Sequence, residues 1–350
     1  DISCNGVIKF YDTLNNTFIG NTSPSSITTG YNNIVIGKDA LKSVTTGYMN
    51  IIIGNNAAPL STGNANIIMG QDSGARLTTA VSTVAIGHNA LEYNQTGGNN
   101  TAIGTAALTT LTSGSENTGV GKDALQFLTS GNNNSCVGNR AGEAITTGGS
   151  NTVIGSAALL SNTTASDNVA VGKSALQANT TGASNTACGK GALASNTTAS
   201  NNTAVGTDAL VSNTTGTENV AVGDDALKDN TTASYNTAIG HGAGESITTG
   251  ASNCLMGSRA GDAITTGDQN TILGQGSGSQ GAEINLNVLI GVNAGYYSNS
   301  VHFNKNVAVG NRSLYNVVDS NKNVAVGYQA GHTDCGDENT CVGSQAGYGN

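Results

Sequence analysis

Tryptophan is absent from this 350-residue chain, proline occurs twice, and aromatic residues make up only 4%. Charged residues reach 10%, against roughly 25% in typical globular domains. Basic residues are the scarcer sign: 13 Lys and Arg face 22 Asp and Glu, giving a net charge of −9. Without a basic stripe to neutralise phosphates, no nucleic-acid surface is expected. No apolar run approaches the ~20 residues of a membrane-spanning helix, so membrane insertion is not expected either. The six cysteines (Cys4, Cys136, Cys188, Cys254, Cys335, Cys341) form no C-x-x-C pair and show no metal-ligand spacing. Cys136, Cys188, Cys254 and Cys341 fall at ordinary strand positions of a repeat and read as small buried hydrophobes. A nucleophile motif, a phosphate loop and a dinucleotide fingerprint are all missing. The chain therefore reads as no enzyme, with no cofactor and no catalytic or metal residues.

What the chain has is a period. Twenty glycines from Gly20 to Gly343 are spaced by 17 residues in 16 of 19 intervals, the others being 16, 16 and 19. In 19 of those 20 units an asparagine stands four residues before the glycine, Thr83 being the exception. The residue before each glycine is Ile, Val, Leu, Met or Cys throughout. A composition rich in Gly, Asn, Thr, Ser and Ala can signal disorder, but apolar residues phased this strictly signal stacked turns.

The central copies idealise to N-T-A-V-G-x-x-A-L-x-x-N-T-T-G-x-x. The segment Asn202-Thr203-Ala204-Val205-Gly206 alternates like a short strand. In Ile34-Val35-Ile36 and Ile51-Ile52-Ile53 all three middle residues are apolar. Successive strand side chains point to opposite faces, so one face looks into the solenoid and the other needs a cover. The asparagines are expected to stack and bond along their column. A second short strand or extended turn is expected at A-L (Ala209-Leu210), and a corner at Thr-Thr-Gly. Where the fourth residue after the glycine is Leu the seventh is usually polar, as in Leu159 with Asn162. Where the fourth is Gly the seventh is apolar, as in Gly142 with Ile145 and Gly244 with Ile247. One interior volume is thus filled from two backbone positions. The expected fold is all-β, a parallel β-solenoid of about 20 repeats, roughly 90 Å long at ~4.8 Å per turn.

At N-T-A-V-G and N-V-A-V-G the chain resembles the head repeats of trimeric autotransporter adhesins, whose N-S-x-A-I-G motif forms a left-handed β-roll. The fuller 17-residue form is similar to arrays in phage and viral tail-fibre proteins. The resemblance covers the strand motif of every repeat but not the adhesins' shorter repeat length. It implies a left-handed β-roll, a parallel homotrimer, and a fibre on the virion or cell surface, outside the cell.

Residues 1–15 precede the repeats, with Val7–Tyr11 as an expected capping strand; 16–274 form the regular body and 275–350 an irregular part. Gly276 to Gly281 reads as a flexible turn. The 19-residue interval carries Tyr296, Tyr297, His302 and Phe303, the expected recognition patch if one exists, with packing as the plainer role for each. The chain opens at Asp1 rather than Met and stops in mid-repeat at Asn350, so it is expected to be processed, to continue, or to dock at its end. His88 and His241 read as surface loops. His332, Asp334 and Asp337 offer a weak cation site, and Asp39, Asp123, Asp208 and Asp225 read as turn residues rather than paired carboxylates. Asn162, Asn179, Asn196, Asn213 and Asn230 head Asn-x-Thr sequons, open to glycosylation on an exposed corner.

Three function classes remain on these grounds: a non-catalytic attachment fibre or adhesin shaft, a self-assembling extracellular filament, and an ice- or matrix-binding solenoid. The expected partners are copies of the chain itself, as a homotrimer or an end-to-end filament, and a host-surface receptor or glycan.

Overall fold

The computed structural model describes residues 7–11, 14–20, 27–296, 303–333 and 336–349. Two compact units divide the chain, Asp1–Lys173 and Ser174–Asn350. The first opens with β1 (Val7–Tyr11) and β2 (Asn16–Gly20), followed by three-residue strands from β3 (Ile34–Ile36) to β11 (Val169–Val171). β1 pairs antiparallel with β2, and every later pairing in this unit is parallel at the repeat's own register, from Thr17↔Ile34 to Thr152↔Val169. The second unit runs from β12 (Thr186–Cys188) to β21 (Thr340–Val342), parallel throughout, as in Ala204↔Ala221. Each unit is a parallel β-solenoid with one short strand per turn. Among the described residues there is no helix.

Backbone hydrogen bonds outside the strands also run from turn to turn. Leu210 N–H donates to Ala226 O (3.0 Å), Asp208 N–H to Lys190 O (2.9 Å) and Thr214 N–H to Thr231 O (2.9 Å). Such stacking requires the chain to reverse direction within a few residues. It does so through left-handed conformations at three places per turn, seen in one turn at Asp208 (φ 52°), Leu210 (φ 52°) and Glu218 (φ 58°). Asp and Asn tolerate this region and recur at the first place, which accounts for Asp39, Asp123 and Asp225 there. The A-L segment is therefore a turn with no second strand.

Glycine ends each strand for a reason of space. A Cβ on Gly206 (φ +137°) would fall on the carbonyl oxygen of Gly223 in the next turn. No side chain fits between backbones that close.

From β3 to β20 the middle residue of each strand points inward, as Ala204, Ala221 and Leu255 do, all fully buried. Beside it lie the Ala-Leu pair and the seventh residue after the glycine. The exchange read in the sequence has a direct geometry: a Cβ on Gly244 would lie 3.1 Å from Ile247 Cδ1, and one on Gly261 2.9 Å from Ile264 Cδ1. Leucine at the left-handed fourth position fills the interior at a cost of roughly 1–2 kcal/mol in backbone strain. Glycine relieves that strain, and isoleucine three residues on restores the volume.

Two turns use a third solution. Phe303, in the recognition patch expected from sequence, is fully buried. It sits three residues before Asn306, where most turns carry Gly or Ala, and its Cε1 would lie 3.3 Å from a Cβ on Gly295. Ile284 does the same beside Gly278. Phe303 is thus interior packing, because Gly295 leaves a hole that only a large side chain closes.

Asparagine forms the second interior element. In the second unit Asn185 through Asn323 stack as a buried column at the head of each strand, ending on a half-buried Asn339. Asn219 shows the pattern: its Nδ2 donates to Ala233 O (2.8 Å) and to Asn202 Oδ1 (3.2 Å), and its Oδ1 accepts from Asn236 N–H (3.0 Å). A shorter column of sequon asparagines, Asn179, Asn196, Asn213 and Asn230, runs beside it. It stops where Ile247 takes the position, leaving Asn230 Oδ1 buried without a donor. All five sequon side chains are buried, so the folded chain offers none of them to glycosylation. They cap the corner carbonyls from inside, as Asn213 Nδ2 does to Gly216 O (3.0 Å).

Gly276–Gly281 follows the same turn path as its neighbours, tied down by Ser277 Oγ to Ala294 O (2.9 Å).

Candidate functional site

Each three-residue strand sends its first and third side chains outward. In the second unit these columns hold Thr203, Val220, Thr237 and Cys254, and beside them Val205, Val222, Ile239 and Met256. Val205 is 37% exposed and Met256 42%, while the middle residues of the same strands, Ala204 and Leu255, are buried. The first unit repeats the pattern, with Ile34, Ile51 and Ile67 beside Met69, Ile103 and Ile154. Neither outward column contains a charged residue in any strand from β2 to β21. Charges gather instead on the turn after the glycine, in pairs such as Lys228–Asp225 (3.1 Å) and Arg140–Glu143. A strand face meant for water normally carries charge.

Two cysteines read from sequence as buried hydrophobes lie on that outward face. Cys188 is exposed and Cys254 half-buried, because they occupy the third and first strand positions. Cys136, at the middle position, is buried, and burial pushes its thiol far above the ordinary range.

Thr-Thr pairs lie in a bend, and the first hydroxyl of the pair is committed. Thr214 Oγ1 donates to Thr231 O (2.9 Å) and Thr231 Oγ1 to Thr248 O (3.1 Å).

A different column appears five residues after the glycine in the last turns. Tyr296 stacks on Tyr315 (5.4 Å between centroids), Tyr315 on His332 (5.2 Å), and His332 packs against Tyr348 (4.6 Å). Arg312 lies over Tyr315 at 5.3 Å. Of the expected patch, Tyr296 joins this ladder, Phe303 is interior, and Tyr297 and His302 lie outside the described residues. Sequence reading missed Tyr315, His332 and Tyr348, although the glycine register places all three in one column. His332 Nδ1 is buried without a partner, and burial first, then Arg312, holds the imidazole pKa below its ordinary value.

His332 thus belongs to the stack, and Asp337 Oδ1 accepts from Asn321 N–H (2.7 Å), so the two do not form the cation site weighed from sequence. Asp334 is outside the described residues. Among the described residues no three His, Cys, Asp or Glu side chains come together as metal ligands. His88 and His241 are exposed.

The same column continues back from Tyr296 through Ser279, Asp262 and Glu245. A cavity of 230 Å³ opens there, bounded by Arg259 and Asp262 on one side and by Asn293 and Tyr296 on the other. Burial raises the Asp262 carboxyl above the ordinary carboxylate value, the Ser279 hydroxyl and Arg259 opposing the shift.

No family model matches the chain, and a comparison with curated proteins likewise gives no match.

Proposed function

We propose that the protein is a non-catalytic structural fibre, an attachment shaft acting outside the cell or on a virion, assembled as a homotrimer through its outward strand columns. The carrying observation is the uncharged, largely β-branched pair of columns, half exposed on a single chain while charge is kept to the turns. Contiguous apolar faces of this kind mark association surfaces, and identical columns on identical chains complement one another. The resemblance to adhesin heads and tail-fibre repeats supports three copies and an attachment role. Recognition then belongs to the C-terminal part, where the column chemistry turns aromatic.

Cys188 tests the assembly without added chemistry. At the interface, copies of Cys188 approach one another, so mild oxidation of the assembled protein gives an interchain disulfide while Cys136 stays reduced. Sedimentation at micromolar concentration is expected to give three chains, and Val205→Lys with Val222→Lys to release monomers that keep their β spectrum. Thr215→Lys, on an exposed corner, leaves the assembly intact. A monodisperse wild-type monomer overturns the reading.

A further inference from the structure

The turns of the first unit expose apolar residues on a side that the following turns keep small or polar. Sixth after the strand-ending glycine stand Leu60, Tyr93 and Phe127, exposed by 49%, 36% and 46%. From Ala178 to Gln280 that position holds only Ala, Ser, Asp and Gln. The three recur at every second turn, about 9.6 Å apart at ~4.8 Å per turn. Two hollows open among them, one of 570 Å³ around Leu60, Ala75 and Arg76 and one of 360 Å³ around Phe127, Ala144 and Leu160. Residues second, fifth and sixth after the glycine line both, so these three columns share one face.

The face is a palindrome about the turn that begins at Gly104. Two copies related by a twofold axis across that turn meet column on column, with turns equally far on either side opposed. One turn out, Tyr93 meets Phe127. Two turns out, Asp72 meets Arg140, and Ala75-Arg76 meets Glu143-Ala144. Each long charged side chain there covers the other copy's alanine and lies beside the opposite charge. Three turns out, Pro59-Leu60 meets Leu160-Ser161, so each hollow takes a leucine or an aromatic ring from the other copy. The match ends four turns out, where Lys38 meets Lys173. A parallel pairing reverses the columns and sets Tyr93 on Asn89, Phe127 on Asp123 and Leu60 on Asn56, apolar on polar each time. Within one chain the Asp72 carboxylate is held by the amides of Asn56 (2.7 Å) and Gln71 (3.0 Å). Arg140 gives its Nε–H to Glu143, and a guanidinium has further N–H groups to give.

We propose that this face is a docking surface for a second copy of the chain, lying antiparallel with its twofold axis on the turn of Gly104. Charge complementarity between Asp72 and Arg140, and between Arg76 and Glu143, fixes the register, and the paired rings of Tyr93 and Phe127 form its apolar centre. The matched stretch from Leu60 to Leu160 is six turns long, roughly 29 Å, so a single pairing is weak. It uses none of the strand columns and goes beyond the shaft reading: it joins two shafts side by side rather than building one.

Sedimentation equilibrium from micromolar concentration up to about 0.5 mM tests it. The mass seen at micromolar concentration is expected at least to double, in the wild type and in Val205→Lys with Val222→Lys alike. The pairing is thus read whether or not the strand columns assemble trimers, and the two readings fall separately. Asp72→Arg and Arg140→Asp, each alone, set like charges opposite one another and are expected to weaken the pairing about tenfold. Together they are expected to restore it, because both copies then carry the reversed pair; in a parallel pairing Arg140 does not face Asp72 and nothing is restored. Phe127→Lys is expected to abolish it. None of these side chains is buried in the single chain, so melting temperatures are expected to stay the same. An unchanged mass at the highest concentration, a double variant no better than its singles, or pairing that survives Phe127→Lys overturns the proposal.

Discussion

A single asparagine side chain does three things in this fold: it caps its own turn, leans on the turn before, and receives the backbone of the turn after. Replacing Asn219 by Ala strands the Asn236 N–H in a dry interior, while Ala233 O keeps the Asn230 amide as its donor. The expected loss is about 2 kcal/mol, from one buried group at ~1–3 kcal/mol, measured by chemical denaturation. Thr83 is the natural contrast. Its backbone N–H donates to Asn66 Oδ1 (3.0 Å), but its hydroxyl donates to Val81 O (3.2 Å), and the column is interrupted. Thr83→Asn is expected to add about 1 kcal/mol, read in the same assay; a loss of stability would show that the asparagine column is incidental. The column was legible from sequence because an amide at a fixed period has one economical use. The buried sequons were not, since Asn-Thr-Thr looks like a surface corner until the corner is seen to fold its asparagine inward.

At the scale of the element, the turn was harder to read than the strand. Alternation fixed the inward Ala204 and outward Val205 as a pair on opposite faces, though not which face was which. Nothing in Leu210 announces a left-handed backbone, because leucine is a poor residue for it and only packing on the next turn holds it there. Phe303 takes the plainer of the two roles open to it in the sequence: the void beside Gly295 draws it in as packing rather than leaving it as an exposed anchor. The aromatic ladder is expected to weaken in acid. His332 in the fold takes up a proton less readily than the usual value of 6.5, so the unfolded chain binds the proton first. Its contribution is therefore complete above that value and declines as pH falls below it. Tyrosine fluorescence followed from pH 8 to pH 5 should report the change, and His332→Phe should remove it. An unchanged pH profile in His332→Phe would place the transition elsewhere.

At the scale of the molecule, each solenoid unit is a set of interchangeable turns. Deleting Asn202–Glu218, one full 17-residue period, brings Asn219 onto Asn185 with every hydrogen-bond partner replaced by its equivalent. Stability of the shortened chain is expected to stay within about 1–2 kcal/mol per removed turn, whereas deleting half a period puts every inward residue outside and should prevent folding. Circular dichroism and thermal melts of the two deletions separate these outcomes. Length is thus a free parameter and register is not. The reversed strand β1 has a different consequence. Parallel and antiparallel ladders space their donors and acceptors differently, so β1 offers a newcomer the wrong phase for continuing the stack behind β2. The polarity of the first unit is sealed there: a second copy can lie alongside it, strand face to strand face, but cannot use it as a seed for growth from β2.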